Sequence, residues 1–275
     1  MDVEEQVAAH YSRGNLERSI LDALSGSGKD IEKLVPSDLS EVDEFHLGWR
    51  AATDALARQL GLTSGMHVLD VGSGIGGPAR YFAETYGCRV DGIDLTPDFV
   101  DTANRLTRRC GLADRVTFQR ASAISLPFSD GVFDAATLIH VGMNIQDKAK
   151  LFSEMRRVLK DGAHIGVYDV MHMQPEEVPY PMPWAASPET SFLETPETYR
   201  RQLAKAGFIL QSERSQRDLA LKLSREAREK AAAHGAPPLG PHLTMGSAAR
   251  ERLGNVMAML ERGVIAPIEM VARAE

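Results

Sequence analysis

The sequence predicts an α/β fold: a Rossmann-like, doubly wound, mostly parallel sheet with an N-terminal helical cap and with helical and lid insertions near the C-terminus. Three observations carry that expectation. Short apolar runs beginning near residues 68, 88, 115, 132 and 164 alternate with segments of helical periodicity, as parallel strands covered on both faces require. The stretch Val68 to Leu95 holds a complete β-α-β unit with glycines at its first turn, Gly72, Gly74, Gly76 and Gly77. Right-handed crossovers between such units gather the loops that follow strands on one edge of the sheet.

Residues 1–60 are expected to form a helical cap within the same domain. Val7 and Tyr11, then Ile20, Leu21 and Leu24, are helical in tendency, and Ala51, Ala55, Leu56 and Leu60 mark a helix that Gly61 stops. Residues 61–275 make up the main domain. After the strand Val68 to Val71, Pro78 opens a helix, Gly87 closes it, and a second strand ends at Asp94. Thr96, Pro97 and Asp98 supply an N-cap, a first-turn proline and a first-turn acid for a helix reaching about Cys110. Arg115 to Gln119 and Val132 to Ile139 read as the third and fourth strands. The stripe Leu151, Phe152, Met155, Val158 and Leu159 is helical, with Asp161-Gly162 as its stop, and His164 to Val170 is the fifth strand. Pro175, Pro179, Pro181, Pro183, Pro188 and Pro196 forbid a continuous helix across an insertion at about 172–197, expected as an ordered loop or lid. A helix at 198–206 and a strand at 208–213 follow. A second insertion at about 218–262 carries two helices joined by a loop at 234–241, before a last strand at 264–272.

Composition narrows the partners. Acidic side chains outnumber basic ones, 38 to 31, which argues against nucleic acid. Cys88 and Cys110 make neither a disulfide framework nor a redox motif. His10, His46, His140, His164, His172, His234 and His242 are dispersed without metal-ligand spacing, so no metal is expected. The acidic N-terminus lacks an apolar leader, and no apolar run approaches the ~20 residues of a membrane span, which predicts a soluble, cytoplasmic chain. The expected partner is a small-molecule acceptor. The apolar stretch Met171 to Phe192 suits either a lid or a homodimer contact.

The β-α-β unit suits a nucleoside ligand: glycines let it lie against the backbone and the helix N-terminus, and the acid ending the second strand can accept from a ribose. Gly72-x-Gly74-x-x-Gly77, with Asp94 20 positions after Gly74, also fits a dinucleotide site. Asp70 separates the two. A carboxylate two residues before the glycine turn repels a pyrophosphate but suits the ammonium and sulfonium charges of S-adenosylmethionine.

Val68-Leu69-Asp70-Val71-Gly72-Ser73-Gly74-Ile75-Gly76-Gly77-Pro78-Ala79-Arg80 resembles motif I of class I S-adenosylmethionine-dependent methyltransferases, and Gly92-Ile93-Asp94-Leu95-Thr96 resembles their ribose-binding strand end. Val42-Asp43-Glu44-Phe45-His46-Leu47-Gly48, Leu126-Pro127-Phe128, His140-Val141-Gly142-Met143-Asn144-Ile145, and Pro183-Trp184 with Ser191-Phe192-Leu193 resemble the sarcosine/dimethylglycine N-methyltransferase group, across most of residues 7–210. The resemblance implies a sheet of class I methyltransferase type, S-adenosyl-L-methionine as cofactor, and a small-molecule acceptor with an amine nitrogen. A C- or O-methyltransferase acting on a quinone-like or other apolar metabolite is the alternative, favoured by Met143, Met171, Met173 and Met182 on the same presumed edge. The class I resemblance gives Asp70, Gly72, Ser73, Gly74, Gly76, Asp94, Leu95, Ala121, Ser122, Ala123, Ile139 and His140 as cofactor-binding residues. Two departures stand out. Ser122 occupies the place of the acid that usually bonds the adenine amino group, which predicts weaker or reoriented adenine binding. Trp49 stands where the family's His-x-Gly-Gly pattern places glycine, which predicts a narrowed acceptor pocket.

Methyl transfer from a sulfonium is an in-line displacement, in which orientation alone can account for ~7–11 kcal/mol of barrier lowering. An oxygen or carbon acceptor adds a need for a base. His140 is the first catalytic candidate, with a cofactor or backbone contact as its alternative role; Tyr11 and His46 are the others. Arg50 is placed to clamp an amino-acid carboxylate. Trp49, Tyr168 and Trp184 are expected, with Tyr11, as aromatic walls for a methylated ammonium, and Met143 and Asn144 complete the substrate set. Remoter readings are an NAD-dependent oxidoreductase, although no Tyr-x-x-x-Lys motif is visible, and a cofactor-binding regulator without chemistry, which Ser122 supports.

Overall fold

A computed structural model describes residues 2–12, 14–235 and 237–275. Four helices precede the sheet: α1 (Val3–Tyr11), α2 (Leu16–Gly26), α3 (Pro36–Asp43) and α4 (Trp49–Gln59). Then β1 (His67–Val71), α5 (Gly77–Tyr86), β2 (Arg89–Asp94), α6 (Pro97–Arg109), β3 (Val116–Arg120), β4 (Phe133–Ile139), α7 (Lys148–Val158) and β5 (Leu159–His172) alternate as the sequence predicts. The chain continues through α8 (Pro196–Lys205), β6 (Phe208–Ser215), α9 (Arg217–His234), α10 (Pro241–Met245) and α11 (Ala249–Arg262), and ends in β7 (Ile265–Ala274).

The seven strands form one sheet in the order β3-β2-β1-β4-β5-β7-β6. The five on the β3 side are parallel, and β7 runs antiparallel to both β5 and β6. Strand order reverses between β1 and β4, and open α/β sheets bind ligands at the carboxyl ends beside such a switch point. One face of the sheet packs against α4, α5 and α6 through Leu56, Phe82 and Ala103; the other packs against α7 and α8 through Phe152, Met155 and Tyr199. The proline-rich loop folds onto α9 and α11, burying Met182 and Trp184 with Met143 and Leu260. No helix among the described residues is long and apolar enough to cross a membrane.

Three local expectations need correction. α7 ends at Val158, before Asp161-Gly162, because β5 begins at Leu159 opposite Phe133 and absorbs that dipeptide in a register shift before His164 pairs with Ala135. Thr96 makes no side-chain cap; its amide donates instead to Asp94 Oδ1 at 2.8 Å, so the acid at the strand tip organises the turn. The interval expected as loop closes one residue early, at Pro241, where α10 begins, and Leu243 of this helix packs with Leu239 on the cap.

The cap is fastened to the glycine-loop helix by a buried ion pair. Arg80 on α5 is fully buried and donates to Asp43 Oδ2 at 2.8 Å, to the Ile75 carbonyl at 2.6 Å and to Thr107 Oγ1 at 3.0 Å. A Cβ on Gly77 would strike the Asp43 carbonyl, so glycine permits the approach. Around this strut Leu16, Ile20 and Leu39 of the cap cover Ile75, Phe99 and Leu106.

Candidate active site

At the carboxyl ends of β1, β2 and β4 lies a cleft of about 1070 Å³, counted with the part open to solvent. Its floor is the glycine turn. Gly72 has φ +71°, the left-handed region, and a Cβ there would collide with Val141 of the loop after β4. Asp94 Oδ2 accepts from the Gly74 amide at 2.9 Å, which fixes the carboxylate beside the turn. Asp70, at the end of β1, is buried; Oδ1 accepts from Thr137 Oγ1 at 2.7 Å, while Oδ2 is buried with no partner among the described residues. An orphaned buried carboxylate oxygen on a cleft wall suits a ligand cation.

Burial, reinforced by the charges of Glu44 and Asp94 and opposed by the Thr137 bond, pushes the Asp70 carboxyl up to about 7. Below that pH the group carries a proton that an incoming cation must displace. Affinity for S-adenosylmethionine is therefore expected to rise as pH increases through 7 and then level off, with proton release on binding at the acid side. Titration calorimetry in buffers of different ionisation heat counts that proton, and a count of zero below pH 7 contradicts the assignment.

The other end of the cleft is built by the cap and the loop after β4. His140 follows β4 with φ +54°, a left-handed conformation unusual outside glycine, held by its amide donating to the Tyr168 carbonyl at 2.7 Å. Its ring stacks on Tyr168 at 5.3 Å, and Nε2 is buried with no partner among the described residues. Burial, and then the charge of His46, hold its pKa well below the usual histidine value, so the ring is neutral. His46 is differently placed. Nε2 lies 2.8 Å from Glu44 Oε2 and 3.0 Å from Thr53 Oγ1, and Nδ1 lies 3.3 Å from the Leu47 carbonyl, so both ring nitrogens are committed. Tyr11 donates to Asn144 Oδ1 at 3.1 Å, and Asn144 Nδ2 donates to the Trp184 carbonyl at 2.7 Å. Burial keeps the Tyr11 phenol protonated.

Of the residues singled out from the sequence, Asp70, Gly72, Ser73, Gly74, Asp94, Leu95, Ala121, Ala123, Ile139 and His140 line this cleft together with Tyr11, His46 and Asn144. Others do not. Gly76 lies behind the turn, close to Phe118 and Arg80, and the Ser122 hydroxyl points to Glu4. Arg50 is turned from the cleft: Nε lies 2.5 Å from Glu44 Oε1 and the guanidinium sits 4.3 Å over the Tyr81 ring, which leaves no clamp for a carboxylate. Trp49 does not narrow the pocket; at φ +44° it starts α4 in the left-handed region, where a glycine would be at ease. Tyr168 is behind His140, its hydroxyl donating to the Leu47 carbonyl at 2.7 Å. Trp184 and Met143 belong to the core under the proline-rich loop, with Trp184 Nε1 donating to Ser191 Oγ at 2.9 Å. Of the four expected aromatic walls, Tyr11 lines this cleft and Trp49, Tyr168 and Trp184 do not. Sequence reasoning missed Glu4, Glu44, Phe45, Phe99 and Thr244. Glu44 and Phe45 lay within the quoted Val42 to Gly48 stretch, and Glu4 carried a signal in its spacing from Val7 and Tyr11 on one helix face.

Residues 69–167 match the model of a methyltransferase domain. A sterol 24-C-methyltransferase of Gibberella zeae is 38% identical over 114 residues, 42% of this chain and 30% of that protein. Erythromycin 3''-O-methyltransferase of Saccharopolyspora erythraea is 31% identical over 186 residues, 62% of this chain and 61% of that protein. The chain thus spans between about a third and three fifths of these relatives. Among solved structures, the [4+2]-cyclase SpnF aligns with a TM-score of 0.69 and 26% identity over 98% of this chain and 96% of its own.

Proposed function

We propose that this chain, which carries a methyltransferase domain at residues 69–167 on the class I S-adenosylmethionine-dependent fold, methylates an oxygen or carbon of an apolar small molecule with His140 as the base. The observation that carries this reading is His140 itself: neutral, strained into place, stacked on Tyr168, and with a ring nitrogen left for a ligand at the cleft wall. Bound S-adenosylmethionine supplies the electrophilic methyl carbon. The chain's residues supply the rest. Asp94 accepts from the ribose, the unpartnered Asp70 oxygen accepts from the ammonium, and the glycine turn brings both within reach. His140 Nε2 takes the acceptor's proton as its nucleophile forms, and Asn144, oriented by Tyr11 and the Trp184 carbonyl, holds the acceptor's polar group. Val7, Phe45, Phe99 and Ile145 give the wall an apolar character that suits a larger hydrophobic acceptor.

An amine acceptor of the sarcosine type finds less support, because Arg50 is ion-paired with Glu44 and three of the four expected aromatic walls, Trp49, Tyr168 and Trp184, stand outside the cleft. A second reading follows from the likeness to SpnF, which extends over nearly the whole chain: ring closure in the same cleft without methyl loss. Purified protein incubated with methyl-labelled S-adenosylmethionine and a panel of phenols, quinols, hydroxylated macrocycles and secondary amines separates these. Label on an oxygen or carbon acceptor is the expected result. Label confined to amines overturns the acceptor class, and conversion of a polyene without label transfer supports the cyclase.

A further inference from the structure

We infer that Glu4, on the first helix of the cap, reads the amino edge of the cofactor's purine, a contact made from outside the β-α-β unit. This rests on the cofactor reading above. Asp94 marks where a ribose would lie, and Leu95, Phe99, Ala123 and Ile124 line the same cleft, an apolar lining that suits a flat base. Glu4 lines the same cleft. Its Oε1 accepts from Ser122 Oγ at 2.5 Å, and Ser122 Oγ in turn accepts from the Ile124 amide at 3.2 Å. The loop therefore aims the carboxylate, and its second oxygen takes no hydrogen bond among the described residues.

A carboxylate has acceptors only. It favours a base edge that bears an N–H donor, as the exocyclic amine of adenine does, and disfavours a carbonyl at the same position. Sites built around one donor reject analogues that lack it, because the buried acceptor is then left unpaired. Glu4, Val7 and Tyr11 share one face of α1 and all line the cleft, so the helix that reads the purine also carries Tyr11 to Asn144. Purine recognition and completion of the acceptor end become one event.

The test is titration calorimetry of the full chain with S-adenosylhomocysteine and with S-inosylhomocysteine, its 6-oxo counterpart. Wild type should prefer the amino compound by roughly tenfold or more, the scale of one hydrogen bond to a charged group. Glu4→Ala should bring the ratio close to one, and Glu4→Gln, whose amide can donate to the oxo edge, should lower or invert it. Ser122→Ala, which keeps the carboxylate but not its aim, should fall between. A ratio unchanged in Glu4→Ala, with the circular dichroism of the variant intact, overturns the proposal while the cofactor reading stands. Binding of neither compound by wild type overturns both.

Discussion

Replacing His140 by alanine is expected to lower the rate of methyl transfer by about 10²–10⁴-fold, the usual contribution of a positioned base, while the affinity for S-adenosylhomocysteine changes little. The separation follows from the proposed roles: Asp70 and Asp94 as the cofactor's polar anchors, and His140 at the acceptor end. Single-turnover rates with saturating cofactor, set beside calorimetric affinities, resolve the two. The same residue sets the acid limb of the pH profile. Its pKa is held below the ordinary histidine value of about 6.5, so with the cofactor kept saturating, which removes the Asp70 effect, kcat/KM for the acceptor should stay flat through that pH and fall only in more acidic buffer. Stability changes in the same direction. Below about pH 6.5 the unfolded chain binds a proton that folded His140 refuses, so this group removes stability as pH falls and has no effect above that value. Equal losses of rate and of cofactor affinity in the alanine variant would assign His140 to the cofactor instead.

The second large effect is on stability. Arg80→Ala is expected to cost about 3–5 kcal/mol, because it strands the Asp43 carboxylate without its partner in a site closed to water. Arg80→Lys should recover little, since one ammonium cannot reach Asp43, Ile75 and Thr107 as a planar guanidinium does. Removing both charges with apolar residues of similar volume should be far milder than either single change. Urea denaturation midpoints at constant slope report the differences. A midpoint within experimental error of wild type for Arg80→Ala would show that the pair does not fasten the cap.

What the sequence discloses follows chain distance. The β-α-β unit was legible because its glycines, Asp70 and Asp94 are neighbours in sequence and their roles depend on local backbone geometry. Strand positions were legible from apolar runs, whereas the Val158 to His164 transition was not, since pairing with β4 rather than the Asp-Gly dipeptide decided where the helix ended. At the site, the errors share one cause. Arg50, Tyr168 and Trp184 were placed by residue type, but a specific partner sets each side chain's direction: Glu44 and Tyr81 for Arg50, the Leu47 carbonyl for Tyr168, Ser191 for Trp184. Ser122 looked like a loss of function in isolation. Its partner Glu4 stands 118 positions away, which no local pattern connects.

The first helix of the cap buries a single side chain, Val7, yet it crosses the cleft mouth from the Ser122 loop to Asn144. Segments with so little apolar contact open at a small fraction of the free energy needed to unfold the sheet. Access to the cleft is then governed by that helix, which can open while the strands beneath stay shut.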